Sequence, residues 1–285
     1  MAAAPTQSDA TPIGWVNGAR CHQVSLSDRG LAYGDGVFET MRYQAGKVPL
    51  WPLHLDRLLA SAQRLSIPLA QESIEQQLLL ILADLAASGL AHWGALKLIL
   101  TRGNAPGYGP DSAEAPNCYW LYRPCVASVE AAAQGVGLQV SPVRLARSVH
   151  LGGLKHLNRL EYVLAAQGNL AAPTHQWLLL DECDAVIETL THNIMWLRGE
   201  DLFTPALTHS GVAGVMRQWI VQRAQAEGLN TQSGSFTLTD VLSADEVFIC
   251  NSLRGIWPVT HIEHTFFKPG PKTRHWQRAI DSLWQ

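Results

Sequence analysis

Gly34-Asp35-Gly36-Val37-Phe38-Glu39-Thr40-Met41-Arg42-Tyr43 leads through Gln44-Ala45-Gly46 into Pro52-Leu53-His54-Leu55-Asp56-Arg57-Leu58-Leu59. Val37 to Tyr43 reads as a strand, closed by the turn-forming Gln44-Ala45-Gly46. From Pro52 the spacing becomes helical, with Leu55, Leu58, Leu59, Ala62 and Leu65 on one side. A strand that turns directly into an amphipathic helix points to an α/β or α+β fold.

On the N-terminal side, the Asn17-Gly18 pair in Trp15-Val16-Asn17-Gly18-Ala19-Arg20 signals a tight hairpin. A glycine-rich loop, Asp28 to Gly36, precedes the strand, and residues 1–12 read as a disordered tail. On the C-terminal side a second helix is expected over Glu72 to Ser88, with Gly89 at its end. Ala95 to Leu100 and Cys118 to Tyr122 read as buried strands around a Gly/Pro-rich loop, Gly103 to Pro116. The small, aperiodic segment Val126 to Gln134 is the expected linker, which separates domains of residues 13–125 and 135–285.

In the second domain, strands are expected at Gly137 to Val143, Trp177 to Leu180 and Ala185 to Glu188, with a helix at Leu157 to Leu170. Ile194 to Leu197 and Leu202 to Thr204 read as a hairpin around Gly199. A helix over Val215 to Glu227 ends at Gly228, strands follow at Glu246 to Cys250 and Trp257 to Ile262, and a short helix near His275 to Leu283 closes the chain. Each domain is expected to hold a mixed sheet with helices.

The 285 residues are 47% hydrophobic and only 16% charged, enough for two sizeable cores. The net charge of -3 is spread without a basic stripe, which argues against nucleic acid or an anionic membrane and for a small-molecule partner. Cys21, Cys118, Cys125, Cys183 and Cys250 are scattered and odd in number, the pattern of reduced cytosolic thiols. The apolar run Leu78 to Ala87 contains Asp84 and is too short to span a bilayer.

Lys155 sits in Leu151-Gly152-Gly153-Leu154-Lys155-His156-Leu157, where desolvation would favour the neutral amine that imine chemistry needs. The alternative is a lysine whose head reaches water. Glu188 ends a strand, where it could face a cationic ring nitrogen or simply meet solvent. Arg57 lies within the amphipathic helix and suits a phosphate monoester, or a nearby acid such as Asp56. Gly211-Val212-Ala213-Gly214-Val215-Met216-Arg217 passes from a glycine turn into a helix start whose N–H groups could take a phosphate, or do nothing more than start a helix. Arg102 could receive a substrate carboxylate or brace the loop mouth. His261 and His264, three apart on an expected strand, face opposite ways, so no metal site is expected.

Taken together these segments resemble the fold-type-IV pyridoxal-phosphate family, which includes branched-chain and D-amino-acid transaminases and aminodeoxychorismate lyase. The resemblance runs in order through Asp28-Arg29-Gly30, Tyr33 to Thr40, His54-Leu55-Asp56-Arg57-Leu58, Lys155-His156-Leu157-Asn158-Arg159-Leu160-Glu161, Glu188 with Asn193, Gly211 to Arg217, and Cys250 to Val259. It implies a two-domain fold of that type with pyridoxal 5'-phosphate as cofactor. Lys155 would hold the cofactor covalently through its amine, and Glu188 would contact the pyridine nitrogen. Arg57, the amides of Val215 and Met216, and Ser252 would hold the phosphate, with Arg159 also at the cofactor.

Where Arg159 falls, transaminases of the family usually have a tyrosine. The stretches Lys155 to Glu161, Ser141 to Leu145 and Ile249 to Ser252 are similar to the lyase branch. The implied activity is therefore a carbon–oxygen lyase on aminodeoxychorismate, with Asn251, Arg102 and Arg254 at the substrate. The alternatives are an aminotransferase using the same lysine, or a catalytically silent binding protein. The loop Arg102-Gly103-Asn104-Ala105-Pro106-Gly107-Tyr108 lacks a second arginine that such lyases often carry. A cytosolic homodimer is also implied.

Overall fold

The structure is a computed structural model that describes residues 12–90, 93–109, 115–125, 129–168, 170, 172 and 175–284. Nearly all of the expected tail falls outside them. The chain forms two compact units, residues 1–127 with 155–158, and residues 128–154 with 159–285.

The first unit holds β1 (Ile13–Val16), β2 (Ala19–Arg20), α1 (Arg29–Tyr33), β3 (Gly36–Tyr43), α2 (Trp51–Arg64), α3 (Gln71–Ala87), β4 (Gly94–Thr101) and β5 (Asn117–Pro124). Its described strands form one sheet in the order β2-β1-β5-β4-β3. Every pairing in it is antiparallel, so the expected mixed sheet is not found here. β1–β2 and β4–β5 are joined directly and β3–β4 through α2 and α3, and each of these pairs is antiparallel, so none is a parallel crossover. Asn17 (φ 49°) and Gly18 (φ 86°) make the hairpin turn, a backbone geometry that Asn-Gly tolerates at little cost.

The segment expected as a glycine-rich loop contains the short helix α1. Asp28 accepts hydrogen bonds from the N–H groups of Gly30 and Leu31, and Gly34 (φ 66°) ends the helix. The core of this unit lies between the sheet and α2 and α3, built from Leu55, Leu58 and Ala62 of α2 and Ile74, Leu78, Ile81 and Leu85 of α3. These meet Met41, Tyr43, Leu96, Leu98, Leu100, Trp120 and Tyr122 of the strands. The apolar run at Leu78 to Ala87 is thus core-facing on one side only; Leu79 and Leu80 are 67% and 60% exposed.

The second unit contains α4 (Val129–Gln134), β6 (Val136–Leu145), α5 (Leu160–Ala166), β7 (His175–Asp181), β8 (Val186–Thr189), β9 (Asn193–Arg198) and β10 (Asp201–Pro205). It continues with α6 (Val215–Ala226), β11 (Asn230–Gly234), α7 (Leu238–Leu242), β12 (Glu246–Asn251), β13 (Gly255–Ile262), β14 (Thr265–Phe266) and α8 (Pro271–Leu283). The strand order is β11-β10-β9-β12-β13-β6-β7-β8, with β14 on β13, and β8 also pairs with β9. That last pairing, Glu188 opposite Asn193, closes six strands into a ring. This sheet is mixed, as expected, with parallel pairs at β10–β11, β13–β6 and β6–β7.

Part of the expected linker is helix α4, whose Ala131 and Ala132 pack on the second core. Small residues show no periodic pattern in sequence, yet two alanines suffice to seat this short helix against the sheet. Among the described residues, no helix is long and apolar enough to cross a membrane, and all five cysteines are free thiols.

Because Ile81 is fully buried and Leu79 points outward, their alanine variants should separate. Ile81→Ala is expected to lose about 2–5 kcal/mol of unfolding free energy in urea, and Leu79→Ala to stay within about 0.5 kcal/mol of the parent.

Candidate active site

Strand β3 is the last strand of the first sheet, so one edge of it would present unpaired N–H and C=O groups. Residues Lys155 to Leu157 cover that edge. Phe38 N–H donates to the Lys155 carbonyl at 2.9 Å, Leu157 N–H donates to the Gly36 carbonyl at 3.0 Å, and His156 lies opposite Val37. This register fixes the lysine, whose Nζ sits 4.3 Å from the centroid of the Phe38 ring. Lys97 of β4 brings a second ammonium to the same ring, at 4.8 Å. Burial, with Arg123 beside it, holds the Lys97 ammonium below the usual lysine range. In sequence, the alternating Leu96-Lys97-Leu98 reads as an ordinary strand with a solvated face and does not single out Lys97.

On the opposite face of β3, Glu39 is buried and carries a charge cluster. Helix α2 supplies His54 and Arg57 at i and i+3, one face of the helix, directly over it. Arg57 donates to both Glu39 oxygens, through Nε at 2.8 Å and through Nη2, and His54 Nδ1 lies 2.6 Å from Oε2. Burial alone would raise the Glu39 pKa, but the Arg57 charge and the His54 and Arg57 hydrogen bonds outweigh it and bring it to about 2. An ionised carboxylate accepts only, so His54 donates from Nδ1. Burial, together with the Arg57 and Lys155 charges, outweighs the raising effect of Glu39 and lowers the His54 pKa, so the ring is neutral. The sequence shows Arg57 as a candidate phosphate ligand but does not show that Glu39 and His54 meet it in one cluster.

Arg102 is engaged within the fold. It donates to both oxygens of Asp35, at 2.8 and 3.1 Å, and to the carbonyls of Ser66 and Leu65 beyond the end of α2, at 2.8 and 2.7 Å. Arg29 holds the same carboxylate at 2.8 Å. Burial raises the Asp35 pKa, yet the bonds from Arg102 and Arg29 keep it below the usual range. Of the two readings of Arg102, its contacts favour the brace at the loop mouth.

In the second unit, Glu188 is 4% exposed at the point where β8 meets β9. Tyr162 of α5 donates its hydroxyl proton to Oε1 at 2.6 Å, and Asn193 Nδ2 and the Val212 N–H donate to Oε2 at 3.0 Å each. Burial and the adjacent Glu188 charge push the Tyr162 phenol up, which keeps it a donor. All three are neutral donors, and a carboxylate held this way is the residue type that suits a cationic ring N–H⁺. Tyr162 gains a role only from meeting a strand end 26 residues away, which no local sequence signal marks.

Helix α6 begins beside these residues. No side chain caps it at Gly214, and Val215 and Met216 are buried. A buried helix start without a cap is a ready anion site. A Cβ on Gly214 would stand 1.8 Å from Asn193 Oδ1, so only glycine permits this approach. The donor set therefore fits a phosphorylated pyridine.

Arg159 stacks over the Tyr162 ring at 4.8 Å and donates to the Leu154 carbonyl at 2.9 Å. Asn251 organises the β12–β13 turn, accepting from the Leu253 and Arg254 N–H groups at 3.1 and 2.7 Å and donating to the Thr191 carbonyl at 3.1 Å. Ser252 and Arg254 sit half-buried in that turn, with the Arg254 guanidinium 5.8 Å from the Trp257 ring.

A family model described as amino-transferase class IV matches residues 36–262. The chain belongs to that family. It is 37% identical over 255 residues to an aminodeoxychorismate lyase of Vibrio harveyi, a match covering 87% of this chain and 90% of the relative. It is 30% identical to a D-alanine aminotransferase of Listeria monocytogenes, over 84% and 82% of the two chains. Among solved structures, it matches a 4-amino-4-deoxychorismate lyase of Pseudomonas aeruginosa with TM-score 0.89 and 39% identity, covering 96% of this chain and all of that one.

The Glu39 cluster has a pH signature. The folded protein keeps His54 neutral below its ordinary pKa of 6.5 and Glu39 ionised down to about 2, against 4.5 for an unperturbed glutamate. In both cases the unfolded chain takes up protons first, so stability falls as the pH drops. The loss begins below 6.5 and steepens between 4.5 and 2. Glu39→Gln should flatten the steeper part, read from urea midpoints at a series of pH values.

Proposed function

We propose that this chain is a pyridoxal-phosphate-dependent 4-amino-4-deoxychorismate lyase, which releases 4-aminobenzoate and pyruvate in folate biosynthesis. The observation that carries the reading is the agreement of sequence and structure on lyase-named relatives, at 37% and 39% identity over most of both chains. The site chemistry supports the cofactor: a lysine held by its backbone, a buried carboxylate with three donors, and an uncapped helix start.

When bound, pyridoxal phosphate supplies an electron sink conjugated to the substrate's amine-bearing carbon. Lys155 would anchor the cofactor through its amine, and the same amine would serve as the base that takes the C4 proton and can return one. Glu188, oriented by Tyr162 and Asn193, would hold the proton on the pyridine nitrogen. Arg57 and the N–H groups of Val215 and Met216 hold the phosphate, with Ser252 and Arg159 as further contacts. For the substrate carboxylates, Lys97 joins Asn251 and Arg254 as a candidate, because its ammonium lies at the same aromatic ring as Lys155. Arg102 is the weakest of these candidates, given its four bonds within the fold.

A homodimer in the cytoplasm completes the proposal. Leu160, Val163 and Leu164, at i, i+3 and i+4 of α5, are 69%, 50% and 48% exposed, an apolar stripe of the kind subunit contacts cover. The five scattered cysteines suit a reducing compartment. The second reading, an aminotransferase, draws on the D-alanine aminotransferase relatives at about 30% identity.

The test is to give the holoenzyme aminodeoxychorismate and follow 4-aminobenzoate and pyruvate together. Equal yields of both products, and loss of at least about three orders of magnitude in rate with Lys155→Ala, are expected. Absence of both products, with pyridoxamine phosphate accumulating on addition of a D- or branched-chain amino acid, would replace the lyase by the aminotransferase.

A further inference from the structure

The acidic partner of Arg57 poses a question that phosphate binding alone leaves open. An arginine awaiting a dianion is best left with its full charge, yet Glu39 occupies two of its nitrogens. The carboxylate is 2% exposed and the guanidinium side chain 12%, so this is an interior ion pair rather than a surface one. His54, fully buried, spends its Nδ1–H on the same carboxylate. Three side chains from one strand and one helix face thus converge where β3 carries Phe38 and the Lys155 pairing on its other side.

We propose that Glu39 is a positioning residue for phosphate recognition, acting through Arg57 by clamping the Nε–Nη2 edge of the guanidinium while His54 fixes the carboxylate. The inference rests on the reading that Arg57 binds the cofactor phosphate.

Two effects oppose each other. Glu39 subtracts one unit of charge near the phosphate, which weakens attraction. It also holds a long, flexible side chain in one orientation before the ligand arrives, so that ordering is not charged against binding. Orientation dominates for a fork-shaped donor, because its hydrogen bonds to phosphate are directional and charge-assisted. A guanidinium freed from its interior partner would turn toward water instead, as an unpaired buried charge does. The i, i+3 placement of His54 and Arg57 over a single strand residue makes this a built arrangement rather than a chance surface pair.

The test compares pyridoxal phosphate with pyridoxal, which lacks only the phosphate. The full-length protein is stripped of cofactor, and each ligand is titrated by quenching of tryptophan fluorescence. Glu39→Gln should weaken pyridoxal phosphate about tenfold and leave pyridoxal unchanged. Glu39→Asp, which keeps the charge but shortens the reach, should fall between and carries the test if the glutamine variant does not fold. In an Arg57→Met background, Glu39→Gln should leave the ratio of the two affinities where Arg57→Met alone puts it.

Equal weakening of both ligands by Glu39→Gln would make Glu39 a purely structural residue and overturn the proposal. An unchanged or tighter affinity for pyridoxal phosphate would overturn it as well, by showing that charge outweighs orientation. If Arg57→Met itself leaves the ratio at the parent value, the assignment of Arg57 to the phosphate fails first and the proposal falls with it.

Discussion

The unpaired edge of β3 is the constraint from which the site follows. An edge strand must be covered or blunted, and here residues Lys155 to Leu157 cover it with two backbone hydrogen bonds. Those bonds set the register, and the register sets the side chains: Lys155 at the Phe38 ring, His156 opposite Val37. A lysine on a flexible loop would have to be ordered by its ligand. This one is ordered by the sheet, whose strand also carries Glu39 on its other face. The four residues 155–158 belong to the first unit although the chain on both sides belongs to the second.

Buried charge is handled in the same economical way in both units. Glu39 is answered by a cation and a neutral histidine, and Glu188 by a phenol, an amide and a backbone N–H. The difference matters chemically. Glu39 is one half of an ion pair with Arg57, whereas the phenol, amide and backbone N–H that meet Glu188 are neutral donors. Gly214 ties the second arrangement to α6, since any side chain there would displace the Asn193 that orients Glu188.

Much of this was legible where the signal is local. The Asn17-Gly18 turn, the α2 and α3 faces, Gly89 and Gly228 at helix ends, and the β12–β13 pair follow from propensity and period. The misses share a physical cause. Helix α5 begins at Leu160, not Leu157, because the residues before it are taken by β3, a partner far away in sequence. Strand β11 is polar along its length and is defined by its pairing with β10 alone. Helix α7 is one turn long, fixed by the capping box of Thr237 and Asp240. At the site, Lys155, Glu188 and Arg57 stood out by their family motifs. Glu39, His54, Tyr162 and Lys97 acquire meaning only from side chains that meet across elements. Arg102 could be read two ways in sequence, and its ties to Asp35 and the α2 end favour the structural one.

The fold itself serves lyases and aminotransferases alike, so the chemistry rests on the site. Its central claim is that one particular lysine carries the cofactor, although a second lysine approaches the same phenylalanine ring. The most direct measurement is borohydride reduction of the holoenzyme, with the visible absorption followed and the labelled peptide sequenced. The account predicts loss of a visible band and a phosphopyridoxyl group on Lys155 alone. A label on Lys97, or a protein that shows no band and takes no label after incubation with pyridoxal phosphate, would contradict it.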